Sequence, residues 1–245
     1  MGHKLNRSNM KWRLHALLLL LCISTSIHSQ ESNTLSKKEA KQGWKLLFDG
    51  SSTAGWHGFR QTGIGEAWKV QDGALWLDVK EKKGRGDIVT NDEFTDFHFT
   101  FEWKIAPKGN SGIIFLVQDR EPYRATWHTG PEYQLIDNEN YPSKLDVRQT
   151  SASLYDLVAC APGLSKPAGE WNTGSIKLEK GRLEFHLNGK LAVSTTLWNE
   201  EWDRMVAGSK FIKEKDFAKS RTGRIAIQDH GGEVWMRNMK IKELR

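Results

Sequence analysis

The sequence predicts an all-β fold in which two antiparallel sheets pack into a sandwich or close into a barrel. About a dozen short apolar runs alternate with turn residues, which is typical of such folds. Asp-Gly and Asn-Gly dipeptides between several of these runs indicate hairpins. No convincing amphipathic helix occurs beyond a turn or two between residues 199 and 220, and 245 residues is a common length for one all-β domain.

Residues 1–29 have the layout of a secretory signal peptide. Basic residues without acidic ones precede the apolar run ALLLLLCIS, and the small polar run TSIHSQ follows it. The apolar run is too short to span a bilayer, so we expect cleavage near Ser29, no transmembrane segment, and a secreted or periplasmic protein. A lipoprotein anchored through Cys22 is the alternative, but the preceding leucines lack the small residue that such processing prefers.

Removal of that segment leaves almost no net charge. It contains four basic and no acidic residues, so the 36 basic and 30 acidic residues become 32 and 30, a net charge of +2. We interpret the basic runs 80–86 and 210–221 as solvated loops. Because no phosphate-binding or nucleic-acid-binding motif occurs either, we expect no nucleic-acid partner.

Cys160 is the one cysteine that follows the predicted signal peptide. A single cysteine excludes an intrachain disulfide and a cysteine-based zinc site in the mature chain. Cys160 lies in LVACAPG, an apolar strand end before a Pro-Gly turn. We therefore interpret it as a buried structural thiol rather than a nucleophile.

The first strands follow a polar segment. Residues 30–42 predict a flexible arm, and a single domain follows from 43 to 245. WKVQDGALWLDV (68–79) places Asp-Gly between two strand-like pieces, which is a strong hairpin signal. FHFTFEW (97–103) alternates aromatic and polar residues and predicts a half-buried antiparallel strand, whereas SGIIFLVQD (111–119) predicts a fully apolar strand.

The rest of the chain continues this pattern. GSIKLEKGRLEFHLNGKLAVSTT (174–196) predicts three strands joined by Lys-Gly and Asn-Gly turns. GRIAIQD (223–229) and EVWMRNMKIKEL (233–244) predict two final strands around HGG. The chain contains 11 tryptophans, whose default place is the core, although their rings can also stack on sugars.

The segment GPEYQLID (130–137) combines a strand pattern with three polar residues. Glu132 and Gln134 are two positions apart and share one face of a strand. Asp137 is five positions from Glu132 and lies on the other face unless a β-bulge changes the alternation. Alternatively, Glu132 faces solvent and Asp137 shapes the following turn, since aspartate and asparagine favour turns.

Several motifs resemble one known family. GWKLLFDGSSTAGWHGF, NSGIIFLV, TGPEYQLIDN, SLYDLVACAP, PAGEWNTGSIKLEKGRLEFHLNGK and GRIAIQDHGGEVWMRNMKIKEL occur in this order between residues 43 and 244. They resemble the 3-keto-disaccharide hydrolase family (DUF1080). The resemblance implies a concanavalin A-like jelly-roll sandwich of two antiparallel sheets, a secreted or periplasmic setting, and cleavage of glycosides that are oxidised to a ketone at C3, by elimination, hydration or net hydrolysis.

Cleavage of a 3-keto-glycoside requires three chemical groups. The ketone acidifies the hydrogen at C2, so a general base can remove it and form an enolate, which must be stabilised. The group at C1 then leaves with help from an acid. No oxocarbenium ion forms, and the carboxylate pair of ordinary glycosidases is not required.

We predict that three residues are catalytic, namely Glu132, Asp137 and His230. The spacing of Glu132, Gln134 and Asp137 partly matches the E-x-D-x-x-E signature of laminarinase-like jelly rolls, in which a bulge returns the last acid to the active face. His230 in QDHGG is the best proton shuttle in the chain, because an unperturbed imidazole titrates near neutrality. A structural turn histidine is its alternative interpretation.

Further polar and aromatic residues are predicted to bind substrate. Tyr155 can donate a hydrogen bond or stack, Asn172 suits sugar hydroxyls, and Arg148 suits an enolate. Asp229 can orient His230 or bind a metal. The full predicted substrate-binding set is His128, Gln134, Arg148, Tyr155, Trp171, Asn172, Gln228 and Asp229.

The sequence leaves the cofactor and two other functional classes open. Oxygen-rich LIDNEN suits calcium, so this divalent metal is a candidate cofactor without an assigned ligand set. The predicted partner is an oxidised oligosaccharide or glycoside. The alternatives are a conventional glycoside hydrolase on the same sandwich and a non-catalytic carbohydrate-binding module.

Overall fold

The computed structural model describes residues 1–2 and 32–244. Within them the chain forms a jelly-roll sandwich of two antiparallel sheets, which confirms the predicted fold class. The predicted signal peptide beyond residue 2, including Cys22, lies outside the described residues. No helix of the described part is long and apolar enough to cross a membrane.

Thirteen strands form within residues 32–244. In chain order they are β1 Trp44–Leu46, β2 Trp56–Gly58, β3 Trp68–Gln71, β4 Ala74–Leu77, β5 Ile88–Thr90, β6 Phe97–Ile105, β7 Asn110–Val117, β8 Glu132–Ile136, β9 Asn172–Glu179, β10 Arg182–Leu187, β11 Lys190–Thr196, β12 Arg224–Ile227 and β13 Val234–Glu243. The eight-stranded sheet has the order β11-β10-β9-β6-β13-β4-β3, with β1 also paired to β13, and the five-stranded sheet has the order β2-β5-β12-β7-β8.

Helices are short and lie between strands. The α-helices are α1 (Lys37–Lys41) and α2 (Glu200–Ala207), and 3₁₀ helices form at Thr126–His128, Val147–Gln149 and Lys210–Lys213. The side chain of Asn199 caps α2 by accepting a hydrogen bond from the backbone N–H of Trp202. Helical turns between residues 199 and 220 are therefore present, as the sequence predicts.

The arm that was expected to be flexible contacts β13 through Asn33 and Glu39. Ser36 and Glu39 form a capping box at the start of α1. Asn33 is buried and exchanges hydrogen bonds with Asn238, whose own backbone adopts a left-handed conformation at a register shift of β13. This irregular point leaves backbone groups for Asn33 to bind, which connects the predicted arm to β13 at this residue.

The core lies between the two sheets and follows the predicted alternation of β6. Phe97, Phe99, Phe101 and Trp103 are buried, whereas the residues between them are partly exposed. The ring of Phe101 meets the ring of Tyr133 from β8 edge-on at 5.3 Å between centroids. Burial of each such side chain contributes about 1.5–3 kcal/mol to the free energy of unfolding.

Strand β8 keeps a regular register along its whole length. It pairs with β7 from Ile114 opposite Glu132 to Asn110 opposite Ile136 without a shift. The bulge that the sequence predicted in this segment is therefore absent. Because Tyr133 and Leu135 point into the core, Glu132 and Gln134 point to the outer face of the five-stranded sheet.

Cys160 is half-buried rather than fully buried. Its backbone N–H donates to the hydroxyl of Ser153, and its thiol donates to the carbonyl of Ala161. Burial raises the pKa of the thiol to about 11, so a thiolate is scarce at neutral pH. This agrees with a structural role and argues against a nucleophile.

Candidate active site

A cavity of about 380 Å³ lies on the outer face of the five-stranded sheet. It collects five of the predicted residues, Glu132, Gln134, Tyr155, Gln228 and His230. Strands β7 and β8 and the segment that follows β12 supply the floor, and the loop that contains the 3₁₀ helix Lys210–Lys213 supplies a side wall. Residues that the sequence analysis did not select complete the lining, namely Asn110, Trp127, Lys210, Phe211 and Glu214.

Glu132 is the most perturbed group of this cavity. Its carboxyl is buried, and no described residue hydrogen-bonds to it. Gly112 on β7 leaves the space that the carboxyl occupies, since a Cβ at that position would lie 2.0 Å from Glu132 Oε1. Burial raises the pKa of Glu132 to about 8, while Lys210 lowers it and Asp87 adds a smaller upward shift.

Lys210 and Tyr155 form the charged and polar wall beside Glu132. The Lys210 ammonium lies 4.1 Å from the centroid of the Tyr155 ring. Partial burial lowers the pKa of Lys210 against the opposing effects of Glu132 and Asp156. Burial and then the Glu132 charge raise the pKa of Tyr155. Lys210 belongs to the basic run 210–221, which was predicted to be a solvated loop, and the residue is exposed. It nevertheless lines the same cavity as Glu132.

His230 lies across the cavity, after the end of β12. Its Nδ1 is 3.4 Å from Asn110 Nδ2, which also donates to the hydroxyl of Tyr141. With the Asn110 amide so oriented, Nδ1 accepts and the neutral imidazole carries its proton on Nε2. The sequence suggested that Asp229 orients His230. In the structure the contact comes from Asn110 of the neighbouring strand β7 instead.

Gln228 and Gln134 complete the floor with amide groups. Gln228 is 8% exposed, and its side-chain amide has no hydrogen-bond partner among the described residues. Gln134 Oε1 accepts a hydrogen bond from the backbone N–H of Leu135. An amide that lines a cavity and has no partner among the described residues can donate to and accept from ligand hydroxyl groups.

Asp137 is not part of this cavity. Its carboxylate accepts hydrogen bonds from the backbone N–H groups of Lys108, Glu139 and Asn140. Burial alone would raise its pKa, but these donors hold the pKa below the ordinary value. Because β8 lacks a bulge, Asp137 shapes the turn after the strand, and its prediction as a catalytic residue is corrected.

Besides Asp229, four predicted substrate-binding residues lie outside the cavity. Trp171 packs under the guanidinium of Arg237 on the eight-stranded sheet. Asn172 is buried, and its Oδ1 accepts from the backbone of Lys166 and the amide of Asn188. The remaining two make local contacts: Arg148 pairs with Asp146, and the ring of His128 lies against that of Trp127.

Asp229 lines an adjoining cavity of about 310 Å³. Both of its oxygens bind the guanidinium of Arg85. Burial opposes its ionisation, but the Arg85 pair and backbone donors keep the pKa of Asp229 below the ordinary value. The basic run 80–86 is therefore not wholly solvated, since Arg85 ties it to the loop that bears His230.

A larger groove of about 560 Å³ crosses the eight-stranded sheet. Its two carboxylates are neutralised, because Glu39 pairs with Lys240 and Glu102 pairs with Arg237. It therefore has no group comparable to the unpaired Glu132. Among the described residues, no cluster of three or more His, Cys, Asp or Glu side chains could hold a metal ion, and a calcium site stays unassigned.

Comparisons with known proteins identify the family and support the fold. The family described as "3-keto-alpha-glucoside-1,2-lyase-like domain" matches residues 43–242. A 3-keto-disaccharide hydrolase of Bacteroides thetaiotaomicron is 31% identical, over 90% of this chain and 85% of the relative. A crystal structure of a putative glycosyl hydrolase from Parabacteroides distasonis is 34% identical, with a TM-score of 0.81 over 88% of this chain and 100% of that chain. A Bacillus subtilis protein with a galectin-like fold is 15% identical, with a TM-score of 0.50 over 86% of this chain and 94% of that chain, which supports the fold alone.

Proposed function

The chain belongs to the family of 3-keto-alpha-glucoside-1,2-lyase-like domains, and from that membership we propose that it cleaves the glycosidic bond of 3-keto-glycosides. The observation that carries this proposal is Glu132, a buried carboxyl without a hydrogen-bond partner among the described residues, at the floor of a polar cavity. A carboxyl with a raised pKa is a stronger base once ionised than an ordinary surface glutamate.

In the proposed reaction Glu132 removes the proton from C2. The electron pair of the C2–H bond moves towards the C3 carbonyl, and an enolate forms with negative charge on its oxygen. The Lys210 ammonium and the Tyr155 hydroxyl line the same cavity, and they are the groups that can stabilise this charge. Partial removal of Lys210 from water strengthens that interaction, because fewer water dipoles screen it.

The enolate then expels the group at C1. The C1–O bond breaks and its electron pair goes to the leaving oxygen, which accepts a hydrogen bond from His230 Nε2–H and takes its proton from a water molecule. The product is an unsaturated ketone with its double bond between C1 and C2. The hydroxide that remains from that water then bonds to C1, and Glu132, now protonated, returns its proton to C2, which completes a net hydrolysis.

The decisive experiment compares an oxidised and an unoxidised substrate. The protein is incubated with methyl 3-keto-glucoside and, separately, with methyl glucoside, and released methanol is measured by mass spectrometry with and without a chelator. We expect release from the oxidised compound alone. Equal release from both compounds identifies a conventional glycoside hydrolase, and binding without release identifies a carbohydrate-binding module, so either result overturns the proposal.

A matched pair of variants tests the residue that carries the proposal. Glu132→Gln keeps the size of the side chain but removes the base, and we expect kcat to fall by about three orders of magnitude. Glu139→Gln makes the same change at an exposed turn position outside the cavity and should leave kcat unchanged. Full activity of Glu132→Gln would show that another group is the base.

A further inference from the structure

Asp87 lies immediately before β5, in the wall of the adjoining cavity of about 310 Å³. The backbone N–H of Phe59 donates to the Asp87 carbonyl, so the pairing of β2 with β5 continues to this residue. The next residue, Ile88, is paired with Ile227 of β12, and both are buried in the core. Because side chains alternate along a strand, Asp87 points to the outer face of the sheet. It does not line the cavity that contains Glu132, which we name the catalytic cavity, so any effect on the proposed reaction is indirect.

The Asp87 carboxylate binds two segments that both reach the catalytic cavity. One oxygen accepts a hydrogen bond from the Thr126 hydroxyl, and the other accepts one from the backbone N–H of Asp229 at 2.9 Å. Thr126 begins the 3₁₀ helix that contains Trp127, and Asp229 directly precedes His230. Trp127 and His230 line the catalytic cavity. One carboxylate therefore connects the aromatic wall of this cavity to its histidine.

Neither segment lies in a strand that would hold it in place. Trp127 belongs to a helix of three residues, and its side chain is 38% exposed, so packing covers its ring only in part. His230 follows the end of β12 and precedes Gly231, whose φ of +90° is left-handed. Segments of this kind depend on specific hydrogen bonds for a fixed position.

We propose that Asp87 is a positioning residue, because its carboxylate fixes Trp127 and His230 relative to each other. This inference rests on the proposed function and adds to it a residue outside the catalytic cavity. In that function the His230 ring donates a hydrogen bond to the leaving oxygen, and a displacement of about 1 Å can cost a hundredfold in rate. Glu132 lies on β8, which Asp87 does not contact, so loss of the carboxylate should leave the base in place.

The charge of Asp87 provides a readout that a purely structural connection would not give. Burial raises the pKa of Asp87, whereas its two hydrogen-bond donors lower it. After burial and Lys210, the Asp87 charge is the third influence on Glu132, whose pKa it raises. The other charged or titratable groups around Asp87 are Asp229, the Arg85 bound to it, and His230. Removal of the Asp87 charge should therefore move the pH at which kcat/KM levels off to a lower value.

Two variants separate the hydrogen bonds of Asp87 from its charge. Asp87→Asn keeps an oxygen for the Asp229 N–H and an N–H for the Thr126 hydroxyl, but it carries no charge. Asp87→Ala keeps neither. With methyl 3-keto-glucoside we expect the plateau kcat/KM to fall about 100-fold in Asp87→Ala and to remain within about fivefold in Asp87→Asn, with its rise at lower pH. Asp92→Ala, at an exposed position that lines neither cavity, should match the unchanged protein.

Equal losses in Asp87→Ala and Asp87→Asn, or full activity of Asp87→Ala, would overturn the inference while the proposed function stands. If the unchanged protein does not cleave the substrate, the proposed function fails, and hydrogen exchange measured by mass spectrometry decides the role of Asp87. Residues 125–130 and 228–232 should then exchange at least about tenfold faster in Asp87→Ala than in the unchanged protein and in Asp92→Ala. Equal exchange would overturn the inference.

Thr126→Val provides the same test if Asp87→Ala does not fold. It removes one of the two hydrogen bonds with little change in side-chain size, at a fully buried position. Exchange should become faster in residues 125–130 and stay unchanged in residues 228–232, because the Asp229 N–H keeps its acceptor. Unchanged exchange in residues 125–130 would overturn the inference.

Discussion

The carboxyl of Glu132 occupies the space that a side chain at Gly112 would fill. A Cβ built on Gly112 would lie 2.0 Å from Glu132 Oε1 and 2.7 Å from the carboxyl carbon. The two residues are on neighbouring strands, and Gly112 is paired with Gln134, two positions from Glu132. A glycine on β7 thus allows an acid on β8 to lie flat over the sheet.

This relationship makes Gly112→Ala a sharp probe of the site. The new methyl group must displace the flexible end of Glu132, while the backbone at Gly112 does not require a positive φ. We expect kcat/KM for the 3-keto-glucoside to fall at least about tenfold, with a folded protein by circular dichroism. Gly208→Ala, where a Cβ meets only atoms at 3.5 Å and beyond, is the control. Equal activity of both variants would contradict the role of Gly112.

The pH dependence of activity should report Glu132. Burial raises the pKa of its carboxyl to about 8, and the proposed base is the ionised form. We therefore expect kcat/KM to increase as the pH rises through about 8 and to level off above it. A plateau that extends down to pH 6 would contradict this assignment, and an initial-rate profile with methyl 3-keto-glucoside measures it.

Lys210 should shift that profile. Its positive charge lowers the pKa of Glu132, so Lys210→Met should move the rising limb of the pH profile to higher pH and reduce kcat through loss of enolate stabilisation. Lys213→Met removes a lysine from the same 3₁₀ helix but not from the cavity lining. The rising limb of the Lys213→Met profile should coincide with that of the unchanged protein. If both variants move the limb by the same amount, the effect comes from the general loss of a positive charge rather than from Lys210 itself.

The buried acid should also destabilise the fold at high pH. The pKa of Glu132 is about 8 in the folded state, whereas the ordinary value is 4.5. Between pH 4.5 and about pH 8 the folded state therefore keeps a proton that the unfolded state has released. Stability from this group is thus complete below about pH 4.5 and is lost as the pH rises through about 8. Glu132→Gln cannot ionise and should gain about 5 kcal/mol of unfolding free energy at pH 9, but little at pH 4.

Urea unfolding at both pH values measures this difference. Glu139→Gln, whose carboxylate is exposed, should show the same small change at both. A Glu132→Gln variant whose stability relative to the unchanged protein does not vary with pH would show that the carboxyl ionises freely in the folded state.

Asp137 should matter for stability rather than for chemistry. Asp137→Ala leaves the backbone N–H groups of Lys108, Glu139 and Asn140 without their acceptor, so the unfolding free energy should fall by about 2 kcal/mol. Below the melting temperature, kcat should stay near that of the unchanged protein. Asp92→Ala, at an exposed position where the carboxylate accepts no hydrogen bond from the described residues, is the stability control. A large loss of kcat in folded Asp137→Ala would restore Asp137 to the catalytic group.

Local pattern was sufficient for much of the fold and for part of the site. The alternation of FHFTFEW predicted β6 because a strand with one buried face repeats every two residues. The same parity placed Glu132 and Gln134 together, and the structure shows both on one face of β8. The expectation of a bulge that would bring Asp137 to the same face failed. Strand β8 has no bulge, and the Asp137 carboxylate accepts hydrogen bonds from backbone N–H groups instead.

The sequence by itself determined the all-β class, the positions of several strands along the chain, the parity of Glu132 and Gln134, and, through several motifs in order, the family. These follow from local periodicity, turn residues and motif order. Only the tertiary structure decided that Lys210 approaches Glu132 from 78 positions away, that Gly112 makes room for the carboxyl, and that Asn110 orients His230. The physical reason is that burial and pKa depend on which distant segments meet at one place, and a pattern of neighbours along the chain does not contain that information.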